Sequence, residues 1–363
     1  MQALPDEIVV QILTALPYTE IATVVVRVSR KWHDLRSTEP FLAARQKIDE
    51  RGLVVTGGGF FGLDGDVDDT SVPCHVLCGR WRERASLPHV FEGGSTSFRG
   101  ELVLLGSAWR ESAPGPTSPC CRVFTLESNM WRTLEWEGDD IWACCATDTT
   151  IIAFSETANG GRRSLRSLQP EDAEGWVSIP DPPVDVFSFH DNRSPSLCCV
   201  EDVLYIVGGL SDFGGPSDAL QAFDLLTRSW TVRAPLPEPR CYSACVRLAG
   251  RLYITGGLGS RTHRRLEDGH RGASVFSYDP RTDMWRTESP LPIISGRADT
   301  SMMSAVAHEG RVVVIGIKCV PPLPPLALVD GVWTELPPFP SRPFSGGAAY
   351  TPQGAHVTSL YLG

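Results

Sequence analysis

The stretch RLYITGGLGS, residues 251–260, decides how this chain is read. Apolar residues lead into two glycines, and one more glycine follows. Such a segment suits a strand feeding a phosphate-cradling loop, or a strand ending in a tight turn. The phosphate reading needs a third glycine in a G-x-G-x-x-G array within a βαβ unit. Thr262 stands where that glycine belongs, and no βαβ pattern follows. The turn reading finds copies of itself along the chain.

LYIVGG at 204–209 nearly duplicates LYITGG at 252–257, and LVVTGG at 53–58 is a third copy. LVLLGS at 102–107 and VVVIGI at 312–317 are worn copies, and IIAFSE at 151–156 fills the remaining gap without glycine. Tryptophan keeps the same beat. Trp81, Trp131, Trp176, Trp230, Trp285 and Trp333 are separated by 50, 45, 54, 55 and 48 residues. Each unit reads as an apolar strand, a strand ending in Gly-Gly, a variable loop, a third strand, a Trp-led fourth strand and a proline-rich exit. Four short strands at a period of about 50 residues predict one blade of a β-propeller. Glycine supplies backbone freedom at the end of the second strand. The tryptophans are expected to fill the space between blades.

The predicted fold class is therefore mainly β, a propeller of six blades over residues 51–363. The first unit starts at GLVVTGG without a leading strand. SGGAAYT at 345–351 is expected to supply it, closing the ring and removing an open sheet edge. HVTSLYLG at 356–363 is also strand-like and is read as a further strand of the closing blade.

The repeat resembles the kelch motif. The resemblance rests on the Gly-Gly pairs, on Phe223-Asp224 and Tyr278-Asp279-Pro280, and on the six tryptophans. Units at about 196–240 and 241–297 match well, whereas the second, third and sixth are degenerate.

Residues 1–50 differ in kind and form a separate predicted domain. Pro5 suits a first helical position, and Asp6 and Glu7 favour the positive end of a helix. Ile8, Ile12 and either Val9 or Leu16 recur at helical spacing before Pro17. Thr19 caps a second helix with Ile21, Val24 and Val25, and Val28, Trp32 and Leu35 mark a third. A segment this short buries little surface of its own and is expected to dock on a partner. It resembles an F-box through Leu4-Pro5-Asp6-Glu7, Ile12-Leu13, Leu16-Pro17, Val28-Ser29-Arg30-Lys31-Trp32 and Pro40-Phe41. Ser29 departs from the cysteine usual there. The resemblance implies a three-helix F-box that binds the Skp-type adaptor of a cullin–RING ubiquitin ligase. It also implies that Leu4, Pro5, Ile8, Ile12, Leu16, Val28 and Trp32 make the adaptor contact or the helical core behind it. The whole chain would then be the receptor that presents a target protein to that ligase, without bond chemistry of its own. Two other readings stay open: a kelch scaffold unconnected to ubiquitination, and a propeller enzyme of the galactose-oxidase kind.

Composition narrows the partners. A net charge of −10 argues against binding nucleic acid by whole-surface charge. No apolar run approaches the ~20 residues of a membrane helix. The 11 cysteines are an odd number without a secretory leader before them, which fits thiols in the cytosol or nucleus. C-x3-C spacings at Cys74/Cys78 and Cys241/Cys245 do not match structural zinc. The acidic run from Asp64 lacks the glycine and final glutamate of a calcium loop. No metal, cofactor or catalytic constellation is predicted.

Strand direction selects the recognition face. In a four-stranded meander, the connection after the second strand and the connection between blades leave from one side. The longest connections are of these two kinds, and loops on a rigid scaffold carry binding. A basic loop at 258–273 contributes Arg261, Arg264 and Arg265, and Arg240, Arg297 and Arg342 stand beside blade exits. Guanidinium forks suit carboxylate or phosphate, so these six are candidates to hold an acidic or phosphorylated target segment. The competing reading makes the loop a solvated one and the exit arginines ties between blades.

Overall fold

The computed structural model describes residues 51–56, 72–78, 80–87, 91–109, 116–126, 128–134, 140–156, 163–169, 175–184, 195–210, 215–259, 272–292, 300, 303–316, 324–338 and 356–361. The segment predicted to form the N-terminal helices and all seven adaptor candidates lie outside these residues.

Blade I contains β1 (Arg51–Thr56), β2 (Val72–Cys78) and β3 (Arg80–Leu87). Blade II is β4 (Phe91–Phe98), β5 (Glu101–Trp109), β6 (Pro116–Thr125) and β7 (Met130–Leu134). Blade III is β8 (Asp140–Ala146), β9 (Ile151–Glu156), β10 (Arg163–Leu168) and β11 (Trp176–Ile179). Blade IV is β12 (Ser196–Val200), β13 (Val203–Val207), β14 (Leu220–Asp224) and β15 (Ser229–Val232). Blade V is β16 (Ala244–Leu248), β17 (Arg251–Thr255), β18 (Val275–Asp279) and β19 (Met284–Glu288). Blade VI is β20 (Ser304–His308), β21 (Arg311–Ile315), β22 (Leu326–Val329) and β23 (Val332–Glu335), and β24 (His356–Tyr361) comes last. Together they make six four-stranded sheets, each a meander in sequence order apart from the first. The architecture is a six-bladed β-propeller.

The ring closes differently from the sequence expectation. The first sheet has the order β24-β1-β2-β3, so His356–Tyr361 is the missing leading strand of blade I. The segment at 345–351, expected in that role, lies outside the described residues. The last strand pairs with the edge of β1 that β2 leaves open.

Each blade buries its faces against its neighbours. One apolar cluster joins Ile152, Phe154 and Leu165 of blade III to Leu204, Ile206 and Phe223 of blade IV. The next joins Tyr205, Val207 and Leu220 of blade IV to Leu252, Ile254 and Tyr278 of blade V. A further cluster sets Leu53 and Val55 of blade I against Val313 and Ile315 of blade VI, across the closure.

The periodic tryptophans do more than fill space. The indole of Trp131 packs on Phe124 at 5.0 Å between ring centroids, that of Trp230 on Phe223 at 5.0 Å, and that of Trp285 on Tyr278 at 4.9 Å. Each pair is directly opposed in the ladder of the third and fourth strands. The free edge then reaches the preceding blade. Nε1 of Trp131 donates to the Ala85 carbonyl at 2.7 Å, Trp230 to Pro180 at 2.8 Å, Trp285 to Ala234 at 2.8 Å and Trp333 to Ser289 at 2.9 Å. Trp81 donates to Pro337 at 2.7 Å, which ties blade I to blade VI. Tryptophan suits this place because it joins a large apolar plate to one N–H donor.

Candidate functional site

The second strands end, and the inter-blade connections leave, on one face of the propeller. Its best described part is the junction of blades IV and V. Residues 208–210, 215–218, 235–243, 256–259 and 272–274 meet there. Gly208 and Gly209 follow β13 with φ of 64° and 110°, and Gly256 and Gly257 follow β17 with φ of 69° and 85°. These left-handed backbones end the strands and turn their N–H groups toward the incoming connection. Gly209 N–H donates to the Arg240 carbonyl at 2.8 Å, and Gly257 N–H donates to the Thr300 carbonyl at 3.0 Å. The close approach needs glycine. A Cβ on Gly208 would stand 2.2 Å from the Arg240 carbonyl oxygen.

Arg240 sits at the centre of this junction. Its backbone N–H donates to the Ser217 carbonyl at 2.8 Å. Its side chain is 2% exposed. Nη1 donates to the Gly256 carbonyl at 2.7 Å, and Nη2 pairs with Glu238 Oε2 at 2.9 Å. The guanidinium carbon lies 5.1 Å from the centre of the Phe276 ring. Burial pushes the Arg240 pKa down, and the Glu238 carboxylate opposes that shift. Arginine titrates so high that it stays charged. Glu238 is 54% exposed and also accepts from Ser274 Oγ at 3.1 Å. What this junction turns to solvent is therefore the carboxylate of a neutralised pair, while the guanidinium ties blade IV's exit to blade V. The sequence pointed to Arg240. It did not point to Glu238, Ser274 or Phe276, which hold it, because Ser274 and Phe276 come from around the start of β18, more than 30 residues along the chain.

Thr300 occupies the backbone position in the connection to blade VI that Arg240 occupies in the connection to blade V. Each carbonyl accepts from the second glycine of its pair. Arg261, Arg264, Arg265, Arg297 and Arg342 themselves lie outside the described residues. Among the described residues, no group of three or more His, Cys, Asp or Glu side chains is arranged to hold a metal ion.

A second recurrent contact also escaped the sequence reading. The residue two before the tryptophan caps the neighbouring blade's exit in blades II and V. Asn129 Oδ1 accepts from Ala85 N–H at 3.0 Å, and Asp283 Oδ1 accepts from Ala234 N–H at 3.0 Å. Both take positive φ, 54° in each case. Tyr278 Oη also donates to Asp283 Oδ1 at 2.6 Å. Those two donors hold the Asp283 carboxyl below its usual range, Tyr278 first and the Ala234 amide second. An Asn or Asp before Met-Trp was the available signal.

Comparison with known proteins agrees with this architecture. The F-box-like family model matches residues 1–46, and the kelch motif model matches residues 192–237 and 239–292. Kelch-like protein 35 of Mus musculus is 29% identical over 247 residues, covering 67% of this chain and 38% of that protein. Kelch repeat and BTB domain-containing protein 12 of Danio rerio is 31% identical over 127 residues, 34% of this chain and 20% of that protein. Alpha-scruin of Limulus polyphemus is 35% identical over 106 residues, 28% of this chain and 11% of that protein. The chain thus spans well under half the length of these curated relatives. It combines an F-box-like segment at 1–46 with two kelch motifs at 192–237 and 239–292, the latter within a propeller of six four-stranded blades.

Proposed function

We propose that this chain is the target-receptor subunit of a Skp–cullin–F-box ubiquitin ligase. One observation carries the reading: an F-box-like segment and a closed kelch propeller occupy the same chain. The segment at 1–46 would dock on the Skp-type adaptor through Leu4, Pro5, Ile8, Ile12, Leu16, Val28 and Trp32. The propeller would hold a target protein within reach of the ubiquitin-loading machinery that the cullin brings. The chain itself makes and breaks no bond in this scheme. It acts by raising the local concentration of target near the transfer site, a gain of effective molarity. Such work belongs in the cytosol or nucleus and requires neither membrane nor nucleic acid.

For the target we assign the face from which the inter-blade connections leave. Arg261, Arg264, Arg265, Arg297 and Arg342 are the candidates to meet an acidic or phosphorylated segment. Arg240 supports that face from beneath, as a buried tie. Surface guanidinium forks grip carboxylate or phosphate in pairs, and salt weakens the grip.

The test is co-purification of the full chain with a Skp-type adaptor. Intact protein is expected to retain the adaptor through size-exclusion chromatography, and the double variant Leu4→Ala/Pro5→Ala to lose it. An intact, folded chain that ignores the adaptor would end the ligase reading and favour the plain kelch scaffold.

A further inference from the structure

The innermost strands of neighbouring blades carry cysteines at their contact. Cys144 and Cys145 lie on β8, Cys198 and Cys199 on β12, and Cys245 on β16. Successive residues of a strand face opposite sides of the sheet. The vicinal pairs obey this rule. Cys144 packs with Val103 and Cys121 toward blade II, whereas Cys145 packs with Leu204 and Phe223 toward blade IV. Cys199 shares that second cluster, while Cys198 turns the other way, to the cluster shared with blade V and Cys245. Vicinal cysteines are therefore directed apart, and cysteines of neighbouring blades are directed together. Cys145 Sγ and Cys199 Sγ lie 3.3 Å apart as thiols.

We propose that Cys145 and Cys199 are an oxidisable pair that forms a disulfide between the inner strands of blades III and IV. The oxidant required is a small peroxide. One thiol, after losing its proton, attacks a peroxide oxygen and becomes a sulfenic acid, and hydroxide leaves with the transferred electron pair. The second sulfur then attacks the first, and the sulfenic oxygen departs as water. In sum, two thiols and one hydrogen peroxide give one disulfide and two waters. A reduced small thiol reverses the reaction by exchange.

The setting makes the pair slow and selective. The hydrogen bond with Cys199 and burial both push the Cys145 pKa up, so the thiol form dominates at neutral pH. Reaction with peroxide therefore waits on a rare thiolate. The first sulfur to react has its partner already at contact, which favours the disulfide over further oxidation. The bond would span two blades that also meet through apolar packing, the Trp230 tie and the Arg228 hydrogen bond to the Ser178 carbonyl.

The experiment uses the reduced full chain treated with hydrogen peroxide, then denatured, alkylated and mapped by mass spectrometry without reductant. The expected product is one peptide containing Cys145 joined to one containing Cys199, reversed by dithiothreitol. The apparent Tm should rise by roughly 3–8 °C in the oxidised protein. Cys199→Ala should abolish both the linked peptide and the rise, and Cys198→Ala should keep both. Linkage of either sulfur to another cysteine, or oxidation confined to the more exposed Cys120, would overturn the proposal. Mapping of the unaltered chain decides the matter even if Cys199→Ala does not fold.

Discussion

Blades V and III reach the same four-stranded topology by different backbone routes. In blade V the second strand stops after five residues, Arg251–Thr255, and Gly256 and Gly257 turn left-handed to receive the next connection. In blade III the matching strand runs on through Ser155 and Glu156, which stay in the ladder opposite Ser164 and Arg163. Blade II behaves like blade III. Its second strand has nine residues, and Gly106 is a ladder residue between Gly93 and Cys120. The Gly-Gly pair is therefore not what makes a blade. It is a notch that brings the inter-blade connection within hydrogen-bond distance of the strand end. Blades II and III lack the notch, yet their inner strands still join the same apolar packing between blades.

The sharpest way to break this comparison is to fill a notch. Gly208→Val places a branched side chain where even a Cβ would meet the Arg240 carbonyl oxygen at 2.2 Å, on a backbone of φ 64°. Urea unfolding is expected to report a loss of about 3–5 kcal/mol. Gly250 has φ of 73° with nothing within 4 Å of its missing Cβ, so Gly250→Ala should cost only about 1 kcal/mol. Equal losses at the two sites would mean that backbone conformation, not the close approach, explains the glycine.

The same contrast shows what was legible beforehand. Trp285 and Gly257 announced themselves because each satisfies a demand that one residue type meets. One needs a large plate with a donor, the other a left-handed turn against a foreign carbonyl. The blade count and most strand placements followed from their spacing. The closing strand was misread because 345–351 and 356–361 both offer short apolar stretches, and sequence does not say which one reaches the open edge of β1. The register of the inter-blade connections was also hidden. Arg240 stands 10 residues after Trp230, whereas Thr300, whose carbonyl accepts from a glycine pair in the same way, stands 15 after Trp285. The role of Arg240 depended on Gly256, Glu238 and Phe276, a trio visible only once two blades are packed.

Two arginines sharpen the comparison next. Arg240 at the notch is buried, with its Nη1 on the Gly256 carbonyl. Arg132 in blade II makes the better formed ion pair, with two contacts to Glu101 at 2.6 and 2.7 Å, but its side chain is 49% exposed. Desolvation reverses the ranking that contact geometry suggests. Arg240→Ala strands a carbonyl at the junction and is expected to cost about 2–4 kcal/mol, against about 0.5–1 kcal/mol for Arg132→Ala. The latter should shrink further in high salt. Chemical denaturation of both variants at two salt concentrations checks the order. A larger loss at Arg132 would remove Arg240 from its role as a tie.

The smallest effect separates two caps that share one geometry. Asn129 in blade II and Asp283 in blade V each accept the backbone N–H of the preceding blade's exit at 3.0 Å. Only Asp283 can titrate. Its folded pKa is held below the ordinary 3.8 by Tyr278 and Ala234, so the unfolded chain takes up the proton first as pH falls. The stabilisation it gives is therefore complete above pH 3.8 and lost as pH drops through the lower folded value. Asp283→Ala should cost about 1 kcal/mol at neutral pH, and that cost should fade in acid. Asn129→Ala should cost a similar amount that does not change with pH. The comparison is read as the difference between each variant and the unaltered chain, at neutral pH and again near pH 3. A penalty at Asp283 as flat as that at Asn129 would show that its carboxylate charge adds nothing to the cap, and that the two blades are held by the same neutral hydrogen bond.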